Sequence, residues 1–138
     1  KAANDVVRQT AVTWLFESFA ELASEAALSR PGITIEREEP HNFAFRGANI
    51  VGSLLSIRQG VRCLTVEAGW TRTPSDGFMR GGAMAFARVS HFGIPRASME
   101  LGLNRGDAFP LWQIVKDDSP LGNFGTDEIS QHISVFLG

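Results

Sequence analysis

Apolar residues at Val12, Leu15, Phe19, Leu22 and Ala26 recur at three- and four-residue spacing, so residues 4–29 read as one amphipathic helix. Glu17, Glu21 and Glu25 fall on a different stripe, the one expected to face water. Asn4 is placed to cap the start, and Pro31-Gly32 ends the helix. The period then changes. Ile33 and Ile35, then Phe43 and Phe45, alternate with polar residues and predict two short strands around a turn at Glu39-Pro40-His41-Asn42. Residues 52–58 and 61–68 form a hairpin joined by Gln59-Gly60. In that register Ser53, Leu55 and Ile57 oppose Val66, Leu64 and Arg62, and Leu55 with Leu64 marks the core face.

Past a loop at Thr73–Gly77, the residues Phe78, Gly82, Ala85, Val89 and Phe92 follow helical spacing. Gly93 and Pro95 are stop signals, so a second helix is expected from Asp76 or Gly82 to Phe92. Alternation of Met84 and Phe86 with alanine also fits a strand over 83–92, and the stop signals tip the reading to helix. Met99, Leu101 and Leu103 alternate in a strand, and Phe109 to Val115 returns as another. Residues 117–122 read as a polar loop. Thr126 caps a last helix with Ile129, Ile133, Phe136 and Leu137 as its buried stripe. The pattern defines an α+β domain over residues 1–138: an antiparallel sheet of about five strands with helices packed on it, in the order α-β-β-β-α-β-β-α.

Composition narrows the class. The 138 residues suit one domain, and 43% hydrophobic with 20% charged residues marks a globular chain. The longest apolar run, Ala83 to Ala87, falls far short of the roughly 20 residues of a membrane span. No secretory signal pattern is visible, and the first residue is Lys1 instead of Met, which leaves room for an upstream segment. The single cysteine, Cys63, allows no intrachain disulfide and fits the cytoplasm. The net charge of −2 divides into −3 for residues 1–45, +5 for 46–105 and −4 for 106–138. Nearly all the basic residues are arginine, suited to bidentate anion contacts.

That basic middle block holds the candidate chemistry. Glu67, Arg72, Arg80 and His91 are a candidate ligand-binding set, with Glu67 or His91 as a base and the arginines holding a carboxylate or phosphate. The plainer alternative makes Glu67 a strand-end ion-pair partner and His91 a helix C-terminal residue. His41, Cys63, His91 and His132 show no metal-ligand spacing, so no metal or cofactor is expected. Arg80 and Arg88 would not share a helix face, and the flanks are acidic, which argues against nucleic acid. The predicted central helix carries Met84 and Ala87 opposite its Phe78, Ala85 and Val89 face, so it is apolar on two sides. Such a helix needs burial on both, which makes Met84, Phe86 and Ala87 a candidate partner interface.

This order of elements resembles the type III secretion chaperone-like fold. The resemblance implies a homodimer whose central helix, here Asp76 to Phe92, contributes to the interface. It also implies a sheet surface that holds an extended partner peptide. The basic middle block and the very long first helix depart from that pattern. The expectation is a non-enzymatic, homodimeric, chaperone-like peptide-binding module of the cytoplasm. The alternatives are an enzyme or sensor for a small anionic ligand, and then nucleic-acid binding through the middle region.

Overall fold

The expected first helix, α1, runs from Ala2 to Ala27 in a computed structural model that describes residues 2–77, 82–106, 108–117 and 119–138. Asn4 therefore lies inside the first turn and not ahead of it. Val12, Leu15, Phe16, Phe19 and Ala23 are buried along one side, while Glu17, Glu21 and Glu25 are exposed. The stripe read from the sequence is thus the packed one, widened by Phe16.

After α1 come β1 (Thr34–Phe45), β2 (Ala48–Gln59), β3 (Arg62–Trp70), β4 (Ala85–His91), β5 (Met99–Asn104), β6 (Leu111–Lys116) and β7 (Ser119–Asn123), and then the helix α2 (Thr126–Leu137). These seven strands, counted among the described residues, form one antiparallel sheet in sequence order. The α+β class holds, with seven strands where about five were expected. The expected central helix is a strand. Residues 85–91 pair with β3 on one side and β5 on the other, and the burial of Ala85, Ala87 and Val89 alternates with that strand period. Alanine favours helix by propensity and the apolar pattern fits either period, so pairing with the two neighbouring strands overrode the local preference.

Two more corrections concern register. The expected turn at Glu39–Asn42 is a shift of pairing inside one continuous β1, between Glu38 and His41. Pro40, which cannot donate to a ladder, sits at that irregularity on an edge strand. The β2–β3 hairpin pairs Ser53 with Ala68, Leu55 with Val66 and Ile57 with Leu64, two residues further along β3 than expected. Its turn is Gly60-Val61, with Gly60 at φ 60°, the positive first position of a II′ hairpin. A two-residue slip keeps the faces, so Leu55 and Leu64 remain core residues, and Ile57 meets Leu64 instead of Arg62. Residues 119–122, expected as loop, belong to the exposed edge strand β7.

Both helices cover one face of the sheet. The core there joins α1, α2 and inward residues of β2 to β6, among them Leu55, Val66, Val89, Leu101 and Trp112. A smaller core lies on the opposite face, where Phe45, Ala48 and Ile50 pack against Phe86 and Ala83. Phe45 and Phe86 stack at 4.3 Å between centroids. Gly52 and Gly69 are cross-strand partners at a very close approach of β2 and β3. A Cβ on Gly52 would lie 2.6 Å from the Gly69 Cα, and would run into the Ala68 carbonyl oxygen. Phe86 pairs with Gly69 and Gly102, so its ring has glycine on both neighbouring strands and room to receive Phe45.

Candidate functional site

Glu67 and His91, two of the described members of the sequence-derived ligand set, lie on opposite faces of the sheet. Glu67 faces away from the helices, where its Oε2 lies 2.7 Å from His41 Nε2 and its Oε1 3.5 Å from an Arg88 amino group. Arg88 also reaches Glu100 at 3.5 Å, and Glu100 takes Arg46 at 2.9 Å. These form a chain of ion pairs from Glu67 through Arg88 and Glu100 to Arg46, extended by the His41 contact, each link partly exposed and individually weak. Glu67 has the charged partner that the plainer reading expected, but it lies inside β3, paired with Leu54 and Arg88, and not at a strand end. His91 lies on the opposite, helix-covered face, paired across the ladder with Leu64. Arg72 lies over the Trp70 ring at 3.9 Å and donates to the Val51 carbonyl at 3.0 Å. Burial lowers its pKa from the usual value. Arg80 lies outside the described residues.

Met84, Phe86 and Ala87 are buried by the chain itself. Met84 and Ala87 belong to the main core and Phe86 to the smaller one. The Met84 carbonyl accepts from Arg8 Nε at 2.7 Å, which pins α1 to the start of β4. With β4 a strand, the doubly apolar helix that motivated a dimer contact is absent.

The structure assembles two arrangements that the sequence reading missed. The first is an apolar groove of about 630 Å³ beside the N-terminal half of α1. Val6, Val7, Thr10, Ala11 and Trp14 form its helical wall, one face by their spacing. Phe109 to Trp112 and Asn123 to Gly125 complete its lining. The Trp112 indole N–H donates to the Ala11 carbonyl at 3.1 Å, fixing the ring against the helix. Val6 is 66%, Trp14 40% and Phe109 65% exposed, so large apolar side chains reach water at the rim. No charged side chain lines the groove among the described residues. The signal in the sequence was Trp14, a tryptophan off the Val12–Leu15–Phe19 stripe.

The second arrangement is a pair of buried histidines. His91 Nε2 and His132 Nδ1 are 2.8 Å apart, with the rings stacked at 5.1 Å. Phe19 of α1 and Phe124 flank the His132 ring at 6.3 and 5.8 Å. At this distance one ring's N–H donates to the other ring's nitrogen, so the neutral pair is satisfied. Burial lowers both pKa values, that of His132 to about 4 with a further contribution from His91. Among the described residues no group of three or more potential metal ligands gathers here or elsewhere. His132 adjoins Ile133 in the buried stripe of α2, so its burial was legible, while a partner 41 residues away was not.

Compared with known proteins, the chain matches no family model, no curated protein and no solved structure.

Proposed function

We propose that this chain is a non-enzymatic binding module that holds an extended peptide segment through an apolar anchor seated in the groove between α1 and residues 109–125. The observation that carries the reading is the groove itself: a lining of aliphatic and aromatic side chains, open to solvent, with no charged lining residue among those described. A site without titratable groups favours retention of a ligand over its chemical conversion. The neighbouring sheet edge adds support. Among the described residues β7 pairs only with β6, all five of its residues are exposed and none is charged, and its Asn123 also lines the groove. Each edge strand carries a proline, Pro40 in β1 and Pro120 in β7, but β1 adds the exposed charges of Glu36, Glu38 and Glu39, which discourage strand addition. A peptide added along β7 would place alternate side chains toward the groove.

Trp14 and Trp112 both line the groove and report occupancy by fluorescence. A panel of extended peptides with one Phe, Leu or Trp anchor is expected to shift that emission saturably. Thr10→Glu, on an exposed helix position, is expected to weaken binding at least tenfold with the far-UV spectrum unchanged. Equal affinity for Thr10→Glu and the unaltered protein would exclude the groove as the site. A response that tracks protein self-association by sedimentation, without added peptide, would assign the groove to a second copy of the chain instead.

A further inference from the structure

We infer that the His91–His132 pair is an acid-sensitive latch that holds α2 on the sheet and, through Phe124, keeps the apolar groove in shape. The pair joins two elements with no covalent proximity. His91 ends β4, and His132 sits in the middle of α2, with both side chains buried. Phe124 connects the latch to the groove, because its ring flanks His132 and also lines the groove. The groove half of the inference rests on the peptide-binding reading; the α2 half does not.

The chemistry has two steps. In the neutral pair one N–H donates across the 2.8 Å separation. A first proton preserves this bond, because one ring still offers a lone pair. A second proton leaves two N–H groups facing each other at that distance, with two positive charges inside an apolar shell. The rings must then part, and α2 is the shorter helix, held to the sheet on one stripe.

The neighbouring ionisable groups do not relieve that charge. On α1, Glu17, Glu21 and Glu25 are exposed, and Asp5 pairs with Arg8 near the other end of the helix. On β3, Glu67 is on the opposite face and bonded to His41, while Cys63 is half-buried and adjoins that face. Arg30 and Arg62 donate to the Leu137 and Phe136 carbonyls. On α2, Asp127 is exposed in the first turn and Glu128 accepts from the Gly125 N–H. Arg88 on β4 is turned to the outer face, and Arg96 beyond it is exposed. Among the described residues neither histidine makes an ion pair. The lowered pKa values agree with this surrounding.

Amide hydrogen exchange, corrected for the intrinsic pH dependence, separates the two halves. Between pH 7 and pH 4 the amides of residues 126–137 are expected to lose at least tenfold in protection, while those of β2 and β3 keep theirs. The double variant His91→Leu/His132→Phe removes both polar partners together and is expected to show no such pH dependence. His132→Gln keeps one hydrogen bond without a titrating ring, and serves where the double variant does not fold. Unchanged α2 protection at pH 4, or the same loss in a folded variant, overturns the latch. Binding of the anchored peptide is expected to weaken at least tenfold over the same interval in the unaltered protein only. If α2 opens and peptide affinity does not change, the coupling to the groove is overturned. If Thr10→Glu has already shown that the peptide binds elsewhere, the exchange result still decides the α2 half.

Discussion

Gly52 and Gly69 carry a constraint that no side chain could meet. They face each other where β2 and β3 approach so closely that a Cβ on Gly69 would lie 2.8 Å from the Gly52 Cα. Gly69→Ala is therefore expected to cost about 3 kcal/mol, measured by urea denaturation, because the ladder must open to admit the methyl. Gly122→Ala on β7 is the control: nothing lies within 4 Å of its added Cβ, and a change within about 0.5 kcal/mol is expected. Neither effect was visible in the sequence, where Gly69 falls just past the expected strand 61–68 and Gly122 in an expected loop. Glu67 and His91 teach the same lesson from the polar side. Their identities suggested a site, but only the ladder shows that one faces His41 and the other faces His132.

Elements differ in how much of their structure they carry locally. α1 and α2 have apolar stripes at helical spacing and formed where that spacing placed them, to within a few residues. β4 has a pattern that two periods fit, and pairing with β3 and β5 resolved it. β7 has no apolar alternation at all. It exists because β6 offers it an edge, and its exposed residues left no trace of strand in the sequence. α2 also lacks a basic residue in its last turn. Arg30 and Arg62 fill that role from outside, donating to its terminal carbonyls at 2.6 and 3.1 Å. Replacing each by alanine is expected to cost about 1 kcal/mol, with the larger loss in the double variant, read from thermal denaturation.

At the scale of the molecule, the two helices share one face of the sheet and leave the groove open beside the N-terminal half of α1. The histidine pair gives the whole domain a pH dependence whose sign is set by burial. Each ring binds its proton less readily when folded, so the unfolded chain takes up protons first on acidification. The pair's contribution is complete above the ordinary histidine pKa of about 6.5 and declines as pH falls toward about 4, the folded value for His132. For His132 this amounts to on the order of 3 kcal/mol. Urea midpoints measured from pH 7 to pH 4 are expected to fall more steeply for the unaltered protein than for His91→Leu/His132→Phe. By itself the sequence determined the α+β class, the first and last helices, the core face of the β2–β3 hairpin and the absence of a long apolar span. Those follow from local periodicity, which states which side of an element avoids water. Tertiary structure decided that residues 85–91 are a strand, that Glu67 and His91 lie on opposite faces, that Met84, Phe86 and Ala87 are covered from within, and where a groove remains. Those depend on which elements meet and in what register, and that is set by the packing of the whole chain.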